Sequence, residues 1–274
     1  MIENTAGMES PGGENMQIDR LMIVPQRDNL NEFVKLAGEY GCGFEYNDFF
    51  IPALLDDEAE LNRRIELYTR AENRPAFSTV HGAFLDVTVF SDDEKIREVA
   101  DLRINQSLEI AKRLGAEAVI FHTNYIPNFN LDSYRDNWVS RNVAYFSQKL
   151  EEYPTLHIYM ENMFDTDCLL LAALGERMKA YDNFGICLDY AHAQAFGDEK
   201  DIAVWVETLA PYVKHLHIND NDFVRDSHLA VGAGKTDWQQ FRKYYEQYFA
   251  GASVLLEVTG IEKTKQSLEY ISRI

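Results

Sequence analysis

Histidine and carboxylate side chains recur at the ends of short apolar runs in this sequence. The chain has seven histidines, and five of them close such a run or follow it: His81, His122, His192, His217 and His228. Acidic residues occupy equivalent positions at Glu45, Glu161, Asp189 and Glu257. A carboxylate within an apolar run is costly to bury unless a cation neutralises it. A divalent metal ion shared by carboxylates and imidazoles is the chemistry that this combination favours.

Two of these histidine-containing segments need closer inspection. His215 and His217 are two residues apart in one run, so both side chains point to the same side of a strand. We expect His217, which is nearer the end of the strand, to be a ligand, and His215 to pack beneath it or support it. His157 lies at the start of its run and is interpreted as structural.

The loop after this run adds Asp226 and His228 in an Asp-x-His spacing. In an extended segment these side chains project to one side and can chelate an ion, or the pair can form a local turn. Gly232 and Gly234 follow, and they permit either close approach of a ligand or a tight turn. Arg225 is either a group that binds substrate hydroxyls or a phosphate, or an exposed loop charge.

The elements that must position these residues alternate in type along the chain. The apolar runs are DRLMIVP from Asp19, GCGFEYND from Gly41, AFSTVHGAF from Ala76, AEAVIFHTN from Ala116, LHIYMENM from Leu156, FGICLDYAH from Phe184, VKHLHIND from Val213 and SVLLEVTG from Ser253. Segments of helical periodicity separate them, and one of these is expected to begin at a Ser91 or Asp92 cap and to end at Gly115. Eight strand and helix pairs predict a closed (β/α)8 TIM barrel of the α/β class, with an open doubly wound sheet as the alternative. Catalytic groups of such barrels lie at the carboxyl ends of the strands.

The domain organisation predicted from composition is simple. Residues 1–17 are rich in Gly, Glu, Asn and Ser without apolar periodicity, which predicts a disordered leader. Residues 18–274 form one catalytic TIM barrel domain in this interpretation. Trp138, Trp205 and Trp238 lie on predicted helices, where they serve either a homo-oligomer interface or, as we expect, packing against the barrel.

The charge balance disfavours several classes of partner. The 274 residues contain 26 Lys and Arg against 45 Asp and Glu, a net charge of −19. Such a surface repels nucleic acid and anionic lipid, so we expect neither as a partner. No run approaches the roughly 18 apolar residues that span a membrane, and the N-terminus lacks a signal-peptide pattern. The cysteines Cys42, Cys168 and Cys187 form no CxxC pair, which fits a cytoplasmic protein.

The segments that carry these residues resemble the xylose isomerase-like barrel superfamily, which includes endonuclease IV and the sugar phosphate isomerases and epimerases. The likeness runs from the third strand to the C-terminus through HGAFLD, FHTN, ENM, LDYAH, HIND, DSH and LLEVTG. It implies nine positions of a three-zinc pattern: His81, His122, Glu161, Asp189, His192, His217, Asp226, His228 and Glu257. Four of them, Glu161, Asp189, His217 and Glu257, match the residues that hold one divalent ion in the sugar isomerases and epimerases. Ala83 stands where the family usually has proline, and FHTNYIP replaces the common HPG.

The resemblance first implies a metal-dependent isomerase or epimerase of a sugar, keto-sugar or sugar phosphate. A divalent ion would stabilise the enediolate that forms when a neighbouring proton leaves, with Glu161 and Glu257 as base and acid. His192, together with His81 and Arg225, would bind hydroxyls or a phosphate. Mn²⁺, Mg²⁺, Co²⁺ and Zn²⁺ all suit mixed oxygen and nitrogen ligands, and we expect one ion, with up to three as the alternative.

Two other functions remain open at this stage. The first is a multi-zinc phosphoesterase or abasic-site endonuclease like endonuclease IV, in which the outer histidines and Asp226 complete further zinc sites. The strand-end loops offer few basic residues for a nucleic acid, namely Arg27, Arg225 and Lys235. The second is a metal-dependent lyase or a subunit of a larger complex that acts on 3-keto-glycosides.

Overall fold

The eight predicted strands form a closed barrel in which each strand lies parallel to its neighbours in chain order. The structure is a computed structural model, and it describes residues 16–85, 87–129, 131–198 and 201–274. The strands are β1 (Leu21–Ile23), β2 (Gly43–Tyr46), β3 (Ser78–His81), β4 (Ala118–His122), β5 (His157–Glu161), β6 (Phe184–Asp189), β7 (Val213–Ile218) and β8 (Ser253–Leu256). The prediction of a single-domain (β/α)8 TIM barrel is confirmed.

Helices surround the barrel and cover its outer face. The described residues contain α1 (Leu30–Tyr40), α2 (Pro52–Leu55), α3 (Glu58–Thr69), α4 (Glu94–Leu114), α5 (Asp132–Glu152), α6 (Leu169–Met178), α7 (Tyr190–Phe196), α8 (Ile202–Leu209), α9 (Trp238–Tyr244) and α10 (Ile261–Ile271). Trp138 and Trp205 are fully buried and Trp238 is 3% exposed. These indole rings therefore pack within the chain and are not available to an oligomer interface. None of these helices is long and apolar enough to cross a membrane.

The ends of α4 show one correct and one wrong prediction. Gly115 follows the helix with a φ of 70°, the left-handed geometry that favours glycine. The predicted cap at Ser91 or Asp92 is wrong, because the capping residue is Asp93. Its backbone is extended, and its carboxylate accepts the N–H of Lys95 at 2.9 Å, whereas Ser91 accepts the N–H of Asp93 itself.

The start of the chain is described from Met16 onward. Residues 1–15 of the predicted leader lie outside the described residues. Met16 is buried in the core, and its backbone N–H donates to the carbonyl of Ile274. Met16, which belongs to the predicted leader of residues 1–17, thus packs against the domain.

The HGAFLD segment after β3 contains a hydrogen bond that proline could not make at position 83. Ala83 is buried, and its backbone N–H donates to the hydroxyl of Ser107 on α4 at 3.0 Å. Proline has no N–H to donate. The departure from the family motif thus ties the loop after β3 to the neighbouring helix.

Candidate metal centre

The candidate ligands lie together because closure of the barrel gathers the carboxyl ends of its strands into one rim. His81, His122, Glu161 and Asp189 are the last residues of β3, β4, β5 and β6, His217 is the penultimate residue of β7, and Glu257 directly follows β8. Neighbouring strands are in register here, since His122 is paired with Glu161 and Asp189 is paired with His217. The strand-end pattern in the sequence therefore describes one site in space.

Four of these residues form a central cluster, defined as Glu161, Asp189, His217 and Glu257. Each offers one ligand atom, and these atoms all lie within 4.8 Å of one another. Nδ1 of His217 lies 3.2 Å from a Glu161 oxygen and 3.5 Å from a Glu257 oxygen. Glu161, Asp189 and His217 are almost completely buried. The set has the spacing and the donor types of a site for a divalent ion.

The hydrogen bonding of the central cluster fits a bound cation. Both oxygens of Glu161, Oδ2 of Asp189, Oε2 of Glu257 and Nδ1 of His217 are buried and lack a hydrogen-bond partner among the described residues. The other oxygen of Asp189 is used, because it accepts the N–H of His192 and caps α7. Four buried oxygens on these three carboxylates thus lack donors and carry a large desolvation cost, which a divalent cation would offset.

Two outer clusters flank the central one. The first consists of His81, His122 and Glu161, in which the Nε2 atoms of the two histidines lie 3.6 and 3.4 Å from Oε2 of Glu161. Glu161 therefore belongs to both clusters, with Oε1 toward His217 and Oε2 toward the histidine pair. A carboxylate placed in this way can bridge two ions.

The second outer cluster consists of His192, Asp226 and His228. Oδ2 of Asp226 lies 3.2 Å from Nε2 of His192 and 2.7 Å from Nε2 of His228. His228 has a φ of 42°, in the left-handed region, which costs free energy that the surrounding contacts offset. The Asp226–His228 contact is a local side-chain hydrogen bond, and His192 approaches the same Asp226 oxygen, so the geometry is compatible with both interpretations of the Asp-x-His spacing.

The loop that carries this cluster is anchored by a buried carboxylate. Asp220 accepts the backbone N–H groups of Gly232 and Thr236 and the indole N–H of Trp238, at 2.8 to 3.1 Å. A side chain at Gly234 would lie 2.3 Å from the Asp220 carboxylate. Gly232 has a φ of 85°, so both glycines serve the folding of this loop.

Backbone carbonyls orient the histidines of the outer clusters. Nδ1 of His81 lies 3.2 Å from the carbonyl oxygen of Gly82, and Nδ1 of His122 lies 3.4 Å from the carbonyl oxygen of Phe84. The corresponding partners are the carbonyl of Asn162 for His192, at 2.9 Å, and the carbonyl of Glu257 for His228, at 2.7 Å. A proton on Nδ1 donates to each carbonyl and leaves the lone pair of Nε2 facing the cluster, as in a metal ligand.

The electrostatics of the rim reflect its excess of carboxylates. Burial raises the pKa of Asp189 to about 8, and the neighbouring Glu257 and Glu161 add to this effect while His192 opposes it. Burial also opposes ionisation of Glu161, yet His217 and His122 hold the pKa of Glu161 well below its usual value. Burial likewise lowers the pKa of His228, but its bond to Asp226 raises it to about 10. The negative potential attracts cations to the rim.

A cavity of about 390 Å³ opens over this rim. His122, His192, Asp226, His228 and Glu257 form its floor, and its walls include Phe50, Phe84, Met163, Phe164 and Val258. No lysine or arginine is among its lining residues. Arg225 is exposed outside this lining, and Arg27 pairs with Asp48 at 3.1 Å. Of the two interpretations of Arg225, the structure favours the exposed loop charge.

Glu45 is the one predicted carboxylate that joins none of these clusters. It is fully buried within the barrel and lies close to Thr79, His215 and His217. Cys187, which the sequence analysis treated only as an isolated cysteine, forms a further group with His215 and His217 within 4.8 Å. Its position on β6, two residues before Asp189, was the available signal, because both side chains then point to the same side.

Comparison with known proteins identifies the family and the fold of this chain. A model of the family described as xylose isomerase-like TIM barrel matches residues 28–274. A probable endonuclease 4 of Halorhodospira halophila is 26% identical over 235 residues, which cover 76% of either chain. The TTHB071 protein from Thermus thermophilus, soaked with ZnCl₂, is 23% identical with a TM-score of 0.67, covering 93% of this chain and 97% of the other. A D-tagatose 3-epimerase-like protein is 22% identical with a TM-score of 0.71, covering 92% and 96%. At these identities the two solved structures show the same fold.

Proposed function

Because the chain belongs to the xylose isomerase-like TIM barrel family, we propose that it hydrolyses small phosphate esters at a centre of up to three divalent metal ions. The observation that carries this proposal is the position of Glu161, whose two carboxylate oxygens face two different clusters. When both clusters are filled, neither oxygen is left to remove a proton from a sugar carbon. A shared carboxylate of this kind suits phosphoryl transfer at adjacent ions.

The chemistry divides between the ions and the side chains. The three clusters would hold divalent ions, which when bound would neutralise the carboxylates, polarise a phosphoryl oxygen and make water a better nucleophile at neutral pH. Glu257 is the central-cluster residue that lines the cavity, so its carboxylate is the one within reach of a substrate. In this proposal it accepts a proton from water while the oxygen of that water bonds to phosphorus and the P–O bond to the organic group breaks; the departing alkoxide takes a proton from solvent, so that an alcohol and a phosphate are released. Asp226, His192 and His228, which lie beside Glu257 on the floor of the cavity, would hold the ion that faces the phosphate.

The size and charge of the cavity indicate a small ester. A volume of about 390 Å³ accommodates a phosphate with a compact organic group. Phe50, Phe84 and Phe164 provide apolar contacts for that group. A nucleic-acid duplex would require lysine or arginine at the mouth to replace the counterions of its phosphates, and the lining residues include neither.

The residues of the three clusters support a centre of several ions, and the relatives do not identify the substrate. One similar protein is described as a probable endonuclease 4, and one structural neighbour was soaked with zinc chloride. The nine residues that the resemblance implies are the nine that form the three clusters. We therefore favour zinc as the resident ion, and a phosphate ester as the substrate class.

Removal of an outer cluster tests the proposal. His122→Ala removes one ligand of the first outer cluster and leaves the four central residues in place. We expect loss of at least about 100-fold in hydrolysis of a chromogenic phosphate ester, with one ion fewer by elemental analysis. His157→Ala, which changes a half-buried histidine at the opposite end of β5, is the matched control and should retain activity. Full phosphatase activity in His122→Ala would refute a role for the outer cluster.

A sugar epimerase or isomerase is the second candidate, and the central cluster favours it. With the central site alone occupied, Oε2 of Glu161 is available as a base, and Glu257 faces the same ion from β8. Such an enzyme needs only the four central ligands. It would incorporate solvent deuterium into a ketose, and His122→Ala would keep that exchange. A lyase acting on 3-keto-glycosides shares this first step and would add release of the leaving group.

A further inference from the structure

A set of buried polar side chains lies inside the barrel beneath the central cluster. We call it the interior array and define it as Glu45 on β2, Thr79 on β3, His215 on β7 and Ser253 on β8. Glu45 and His215 are fully buried, and Thr79 and Ser253 are 3% and 7% exposed. Barrel interiors are commonly filled by branched apolar side chains, so four polar groups at this depth require an explanation.

The members of the array connect in one continuous series of contacts. Oγ of Ser253 lies 2.6 Å from Nδ1 of His215, and Nε2 of His215 lies 3.2 Å from Oε2 of Glu45. The hydroxyl of Thr79 donates to the same Glu45 oxygen at 2.6 Å. Oε1 of Glu45 lies 3.1 Å from Nε2 of His217, an ion-pair distance, and neither atom makes a hydrogen bond of regular geometry to any described residue. The series thus ends on a residue of the central cluster.

His217 is oriented differently from the histidines of the outer clusters. Those four direct Nδ1 to a backbone carbonyl and Nε2 toward their cluster. His217 directs Nδ1 toward Glu161 and Glu257, and its Nε2 faces a carboxylate. A carboxylate is a stronger acceptor than a carbonyl and increases the basicity of the imidazole that donates to it.

We propose that Glu45 is a positioning residue that holds the proton of His217 on Nε2, so that the lone pair of Nδ1 points into the central cluster. Thr79 and His215 hold Glu45 in turn, through contacts to its other oxygen. Glu45 is among the carboxylates that the sequence suggests for a metal site, and the positioning role replaces that of a direct ligand. It rests on the proposed function only in requiring a divalent ion in the central cluster.

The nearby thiol offers a competing arrangement. Cys187, His215 and His217 are close enough to form a site of their own. Nε2 of His215 lies 3.2 Å and Nε2 of His217 lies 3.1 Å from a Glu45 oxygen, so both histidines also contact this carboxylate. The proposal therefore predicts that Cys187→Ala leaves metal affinity unchanged.

Direct measurement of metal binding tests the inference without recourse to activity. Metal-free protein is titrated with Zn²⁺ in the presence of a chromophoric chelator, and the wild type is compared with Glu45→Gln. We expect the affinity of one site to fall by about 10- to 100-fold in the variant. Nitrogen-15 NMR of the zinc-loaded wild type should show the His217 proton on Nε2, and the variant should lose this single tautomer.

Control variants separate positioning from loss of structure. Asp220→Asn alters an equally buried carboxylate that bonds loop N–H groups, so it should lower stability and leave the central affinity unchanged. If Glu45→Gln does not fold, Thr79→Val should weaken zinc binding in the same direction by a few-fold, because it removes one donor to Glu45.

The outcomes distinguish this inference from the proposed function. Wild-type affinity and an unchanged His217 tautomer in Glu45→Gln would overturn the positioning role and leave the metal centre intact. A loss in Cys187→Ala as large as that in Glu45→Gln would overturn it in favour of a thiolate site. A wild-type chain that binds no zinc would overturn both proposals.

Discussion

The buried carboxyl group of Asp165, in the loop after β5, should make the stability of the protein depend on pH. Its side chain is 3% exposed, and burial raises its pKa from 3.8 to about 6. One of its oxygens accepts the Thr123 hydroxyl at 2.6 Å and the Met163 N–H at 2.9 Å, while the other has no partner among the described residues. The carboxylate thus lies in a site that suits its neutral form.

The sign of the effect follows from the raised pKa. Because the folded pKa exceeds the unfolded one, the ionised form destabilises the folded state above about pH 6, and that cost disappears as the pH falls toward 4. A difference of 6 − 3.8, at about 1.4 kcal/mol per unit, corresponds to about 3 kcal/mol at pH 7.5. Asp165→Asn keeps an acceptor for Thr123 and Met163. It also buries an amide NH₂ group without a hydrogen-bond partner, which costs about 1 kcal/mol or more. We expect a net stabilisation of about 1 to 2 kcal/mol at pH 7.5.

Urea unfolding of the metal-free protein between pH 4 and pH 8 measures this difference. The stability advantage of Asp165→Asn should be present at pH 7.5 and should vanish near pH 4. Asp220→Asn is the contrasting control, because both oxygens of Asp220 accept N–H donors and an amide cannot satisfy them at any pH. Equal pH dependence of wild type and Asp165→Asn would refute the assignment of the raised pKa to this buried carboxyl.

Three further predictions concern the metal centre, a helix end and the loop after β7. EDTA should lower the melting temperature of the metal-loaded wild type in calorimetry. The loss of stability should be about 4 kcal/mol when the free metal concentration before chelation exceeds the Kd 1,000-fold, and Glu161→Gln should show a smaller drop. An unchanged melting temperature would contradict a resident ion. Gly115→Ala should destabilise the fold by about 1 kcal/mol in urea unfolding, because φ is 70° while no atom crowds the position closer than 3.9 Å. Arg225→Ala should change stability by less than about 0.5 kcal/mol and leave kcat/KM unaltered, and a marked rise in KM would instead place it at the substrate.

The local part of the architecture was predictable from the sequence. Strands such as β6 and β8 are short apolar runs, and their boundaries follow from the turn residues around them. The site residues were found because each interrupts such a run with a charged or imidazole group, as Glu161 and Asp189 do. The cap of α4 at Asp93 was missed, because Ser91, Asp92 and Asp93 are all good capping residues and backbone geometry decides among them.

What the sequence by itself determined is the alternation of strands and helices and the donor types at the strand ends, because periodicity and the cost of burying a charge act on neighbouring residues. The sharing of Glu161 between two clusters was decided by the closed barrel, since it depends on distances between strands. The same holds for Glu45, which meets His215 across 170 residues of chain and supports His217 from within the barrel. Such contacts cannot be predicted from neighbouring residues, because only closure of the sheet lets side chains of β2 and β7 meet inside the barrel.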